Sequence, residues 1–129
     1  MPEPARSAEV DAYLAAVPEA QCGALESLRD ALHTLQPEAT EVMNAGVPTL
    51  VYYGPLVGFG ASGARCSLFV MQPKLLASMR SAIAPHTVSG GTIHFAPDTP
   101  LSQALLERIV RDRSRENAAA HLRNAQRRK

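Results

Sequence analysis

The spacing of apolar residues changes once along this chain, at Pro48, and that change constrains the fold more than any other feature. Before it, Cys22, Leu25, Leu28, Leu32 and Leu35 form one stripe at helical spacing. After it come Thr49-Leu50-Val51-Tyr52-Tyr53, Leu56-Val57-Gly58-Phe59 and Cys66-Ser67-Leu68-Phe69-Val70. These short runs are rich in β-branched and aromatic residues, and Gly54-Pro55 and Ala61-Ser62-Gly63-Ala64 punctuate them as turns. They predict a three-strand meander.

The flanks fill in the rest. Ser7 is a helix cap with Glu9 and Asp11 in the first turn, and that helix runs to about Val17. Pro18 opens a second helix and Pro37 closes it after Gln36. Pro37 to Asn44 reads as one more short helix before Gly46. A helix is predicted from Pro73 to Ala84, a fourth strand from Thr92 to Ala96, and a long final helix from a cap at Ser102 to about Leu122. The prediction is an α+β fold, a mostly antiparallel sheet of about four strands with helices packed against it. One domain spans 1–129, with its core between about 7 and 122 and a basic tail, 123–129, that frays.

A chain of 129 residues, 46% of them hydrophobic, can fold on one core without disulfides or a structural metal. Its two cysteines, Cys22 and Cys66, read as reduced thiols. No apolar run approaches the roughly 20 residues of a membrane span, and no basic stretch followed by an apolar one marks a secretory signal. A cytoplasmic location is the expectation. Charge is unevenly placed: residues 1–60 carry eight acids against two arginines, and residues 61–129 carry eleven Lys/Arg against four acids.

No local motif announces an enzyme, and none is expected. Gly58-Phe59-Gly60-Ala61-Ser62-Gly63 matches GxGxxG by letters. A strand follows where a helix is needed, and no Asp or Glu occurs from Val42 to Pro97 to meet a ribose. These glycines are predicted to be strand bends and a hairpin turn. Cys66 alternates with Leu68 and Val70 and reads as a buried small hydrophobe. His33, His86, His94 and His121 stand singly, with no zinc spacing.

Three surface features remain. Glu19, Glu26 and Asp30 share one side of the second helix, away from its leucines, where carboxylates can hold a hard cation such as Fe²⁺ weakly. Arg108, Arg111 and Arg115 share a face of the last helix and, with Arg123, Arg127, Arg128 and Lys129, offer phosphate contacts. The interleaved acids and the lack of aromatics there argue against sequence-specific nucleic-acid recognition. Arg113 falls on the apolar side of that helix and needs a partner, for which Glu41 is the expectation.

Several segments are similar to the YdhG/YdeI-like domain family. They are Val10-Asp11-Ala12-Tyr13-Leu14 with Val17-Pro18-Glu19, Leu28-Arg29 with Pro37-Glu38-Ala39-Thr40-Glu41, and Gly46-Val47-Pro48-Thr49-Leu50. Leu56-Val57-Gly58-Phe59, Gly91-Thr92-Ile93-His94-Phe95, and Leu101 with Ile109-Val110-Arg111-Asp112-Arg113 continue the likeness. The resemblance implies a compact α+β domain. It also implies, from members described as frataxin-like iron chaperones, a non-catalytic carrier of ferrous iron that works with iron–sulfur or haem assembly proteins. Glu19, Glu26 and Asp30 are then the metal residues. Two other readings stand beside it. One is a small-molecule-binding or regulatory domain with a pocket between sheet and final helix, using Glu41, Tyr53 and Arg113. The other is an interaction module that presents the arginine face. Either a monomer or a homodimer is compatible with all three.

Overall fold

The structure, a computed structural model, describes residues 6–127. Two helices come first, α1 (Ala8–Ala15) and α2 (Glu19–Leu35). Four strands follow as successive hairpins: β1 (Thr40–Asn44), β2 (Val47–Val51), β3 (Pro55–Ser62) and β4 (Arg65–Phe69). Two short helices, α3 (Pro73–Ser78) and α4 (Arg80–Ile83), lead to β5 (Thr87–Ser89) and β6 (Thr92–Phe95), and α5 (Gln103–Arg127) ends the fold. The sheet is antiparallel throughout, in the order β1-β2-β3-β4-β6-β5.

Local chemistry explains most boundaries. The Ser7 side chain accepts the Glu9 amide and caps α1, and the Ser102 hydroxyl accepts the Leu105 amide at the start of α5. The Pro18 carbonyl takes the Gln21 and Cys22 amides, and the chain leaves α2 at Gln36, just before Pro37. The β1–β2 turn places Ala45 and Gly46 at φ +53° and +82°, the double left-handed conformation whose twist suits a two-residue hairpin. Gly63 (φ +63°) turns β3 into β4, so the GxGxxG letters are a strand and a hairpin.

The core lies between one sheet face and the helices. Leu50, Val57, Phe59, Leu68 and Ile93 alternate to that face and meet Leu25 and Leu32 of α2 and Leu105, Leu106, Ile109 and Val110 of α5.

Four expectations are corrected. Residues 40–44 form strand β1, not a helix, because pairing with β2 overrides local preference. A three-residue β5 adds a sixth strand. The predicted 73–84 helix is two short ones divided at Met79. The last helix continues through 123–127, which were expected to fray, while Arg128 and Lys129 lie outside the described residues. Among the described residues no helix is long and apolar enough to cross a membrane.

Candidate functional site

The predicted site residues separate into three places. Glu19, Glu26 and Asp30 are all exposed on α2. Asp30 is bridged by Arg6 at 2.8 Å, and Glu26 accepts the Cys22 thiol at 3.5 Å. Among the described residues no three His, Cys, Asp or Glu side chains gather to hold a metal ion. Tyr53 sits at φ +54° in the β2–β3 turn, its ring stacked on His121 of α5 with centroids 4.6 Å apart.

Glu41 and Arg113 do not pair; each has other partners. The Glu41 carboxylate is wholly buried and takes four hydrogen bonds. Arg29 Nε and Nη2 donate at 2.7 Å each, the Ser7 amide at 2.8 Å and His33 Nε2 at 2.6 Å. Burial pushes this carboxyl upward, but the donors from Arg29, Ser7 and His33 together outweigh it and hold the group below its ordinary value. Arg29 also bridges Asp11 at 2.7 Å, so the cluster fastens α1 and α2 to β1.

Arg113 works instead over β3 and β4. Its Nε donates to the Leu56 and Val70 carbonyls at 3.2 and 2.9 Å, Nη2 to Pro55 at 3.1 Å, and Nη1 to Glu116 at 3.0 Å. α5 crosses the ends of β3 and β4 there, where carbonyls lack ladder partners, and the guanidinium supplies the donors. Asn117 does the same for Tyr52, Gly54 and Pro55. The expected pocket using Glu41, Tyr53 and Arg113 is therefore not assembled. A groove of about 190 Å³ does lie between α2 and the start of α5, lined by Leu28, Phe95 and Leu106 among others, but none of those three residues reaches it.

The sheet's other face is different. Thr49, Gly58, Phe69 and Thr92 stand opposite one another across β2, β3, β4 and β6. The next row on this face is Gly60, Ser67, His94 and Thr87. With no side chains at Gly58 and Gly60, the Phe69 ring lies beside both: a Cβ at either position would sit 3.5 or 3.8 Å from it. A trough of about 420 Å³ opens over this row, walled by Asn44, Val47, Met71 and Pro73. That volume suits a small ligand.

Backbone geometry shapes the trough's rim. Gly91 accepts the Val70 and Met71 amides through its carbonyl, and a Cβ at Gly91 would lie 3.2 Å from the Gln72 amide nitrogen. The tight approach leaves Met71 in the left-handed region, φ +65°, with its side chain exposed at the rim. A long side chain in that conformation is strained, and such strain collects at ligand sites. The sequence signal that points here is the run from Val42 to Pro97 without Asp or Glu, which covers every residue lining the trough.

Both thiols titrate above their ordinary value. Burial raises Cys66, and desolvation together with Glu26 raises Cys22. The Ser67 hydroxyl contacts His94 Nδ1 at 2.8 Å, but Ser67 is wholly buried and out of reach of a substrate.

No protein-family model matches the chain, and no curated protein matches it. Among solved structures it is similar to YdhG, a DUF1801-family protein of Bacillus subtilis, with a TM-score of 0.78 at 17% identity. The match covers 87% of this chain and 94% of that one, so the two share a fold across nearly their whole lengths. The YdhG-like α+β architecture implied by the sequence resemblance is present.

Proposed function

We propose that this chain is a non-catalytic binding domain that holds a small molecule on the open face of its sheet. The observation that carries this reading is the Thr49–Gly58–Phe69–Thr92 row, in which Gly58 has no side chain to cover the neighbouring Phe69 ring at the floor of a ligand-sized trough. Phe69 supplies a stacking surface, Val47, Met71 and Pro73 supply apolar walls, and Asn44 and Thr92 supply polar atoms. The small-molecule reading made from sequence is kept, and its pocket moves to the opposite face of the sheet.

Ferrous-iron carriage, with iron–sulfur or haem assembly proteins as partners, is the competing reading. It rests on Glu19, Glu26 and Asp30 and on the family resemblance. Docking of acidic partners on Arg108, Arg111 and Arg115 is a third, and its mark is a steep loss of affinity with salt.

One experiment separates the first two. The aromatic probe 8-anilinonaphthalene-1-sulfonate is titrated into the wild type, Phe69→Ala and a Glu19/Glu26/Asp30→Ala triple variant, with anaerobic Fe²⁺ titrated in parallel. Saturable 1:1 fluorescence enhancement, lost in Phe69→Ala and kept in the triple variant, is the expected result. Enhancement that survives Phe69→Ala overturns the trough reading. Saturable Fe²⁺ binding lost only in the triple variant puts the carrier reading first.

A further inference from the structure

A second depression, of about 290 Å³, lies farther along the same sheet face and carries a different chemistry. Arg65, His86, Thr87, His94 and Thr99 line it, with no carboxylate among its lining residues. Asp98 is the one acid on the strands and loops that bound the cleft, and its carboxylate sits at the rim beside Thr99. Its carboxylate takes the Thr99 hydroxyl at 3.2 Å, and it lines a separate depression with Ala20, Ala64 and Pro97. Arg65 makes no ion pair among the described residues. The backbone beneath Arg65 is fixed, because the buried Gln21 side chain donates to the Gly63 and Arg65 carbonyls at 2.8 and 2.7 Å.

We propose that the cleft bounded by Arg65, His86 and His94 binds a small oxyanion of the phosphate class. Ser67 orients His94. The buried hydroxyl engages Nδ1 at 2.8 Å and fixes the ring, so that Nε2 is the nitrogen left for the cleft. His86 is oriented by an edge-to-face contact with Phe95, ring centroids 6.4 Å apart. An anion entering here meets a guanidinium, two imidazoles and the Thr87 hydroxyl, a donor set that matches a tetrahedral oxyanion.

The empty cleft disfavours a charged His94. Burial lowers its pKa below the usual 6.5, and the nearby Arg65 lowers it further. A bound anion offsets both effects, so protonation and binding reinforce each other and affinity rises as pH falls. The other titratable groups around the cleft are Arg65 and His86, with Asp98 at the rim held by the Thr99 hydroxyl.

The test is calorimetric titration of the intact protein near pH 6 and pH 8 with sulfate, a tetrahedral oxyanion whose charge is the same at both, with the His94 ring followed by NMR. Expected are saturable 1:1 binding, tighter at the lower pH, and a His94 ring shift that saturates with the heat. Arg65→Gln and His94→Gln should each weaken binding about tenfold or more, and Arg80→Gln, outside the cleft, should leave it unchanged. The NMR readout uses the wild type and so does not depend on any variant folding. Three results overturn the proposal: no saturation, an unmoved His94 ring, or equal losses in Arg80→Gln and Arg65→Gln. The Phe69 trough stands or falls separately, because its probe and variants are different.

Discussion

The two faces of the sheet handle polar groups in opposite ways. On the helix-covered side every buried polar side chain is committed: Glu41 to Arg29, His33 and Ser7, Gln21 to two carbonyls, and Arg113 to three carbonyls and Glu116. No buried side-chain polar atom among the described residues lacks a partner. The open side is built from glycines, one aromatic ring, a Ser–His pair and Arg65, which has no ion pair among the described residues. A charged residue deep in this fold is thus a fastener, while the groups still able to bind something lie where the helices do not reach.

Removing a fastener should do the most damage. Glu41→Ala leaves Arg29 buried without its main counter-charge, and thermal or denaturant unfolding should show a loss of about 3–5 kcal/mol. A loss below 1 kcal/mol or so would mean that the cluster is solvated and the contrast between the faces is weaker than drawn. The wild type should also weaken in acid. Glu41 titrates lower in the folded chain than its ordinary 4.5, so the unfolded chain takes the proton first. Its stabilisation is complete above that value and declines as pH falls through the folded value, a step that Glu41→Gln should lack.

Arg113→Met comes next. It keeps the apolar stem and strands the carbonyls of Pro55, Leu56 and Val70, for a loss of about 1–3 kcal/mol by denaturant melt. An unchanged midpoint would show that water reaches those carbonyls. The smallest effect belongs to the open face. Met71→Gly relieves left-handed strain of about 1 kcal/mol against some added unfolded-state entropy, so stability should rise by about 0.5 kcal/mol. A clear destabilisation would identify Met71 as packing rather than rim.

What the sequence makes legible follows the same division. The leucine stripe of α2, the meander and the need of Arg113 for partners are written in local spacing, and they are present in the fold. Strand β1 is not, because its burial pattern runs against hydropathy: Glu41 points inward and Val42 outward. Only the position of Arg29, twelve residues earlier on another element, explains that inversion. The trough was equally hidden. Thr49, Phe69 and Thr92 are far apart in the chain and meet only through strand register. Two faint signs of it exist, the Gly58-Phe59-Gly60 alternation and the long acid-free run, and neither has a meaning until the strands are paired. The same holds for Ser67 and His94, which adjacency across β4 and β6 brings together.

The acid-free run also bears on how copies of this protein avoid one another. Natural sheets commonly guard their outer strands with charge, and residues 42–97 carry little of it. Here the guard is geometric. β5, at one margin, has only three residues, too few to template a lasting ladder with a neighbour, and β1, at the other, has α1 packed on it. Resistance to edge pairing at this margin therefore rests on strand length, and insertions that extend the β5–β6 hairpin would promote self-association long before they disturbed the core.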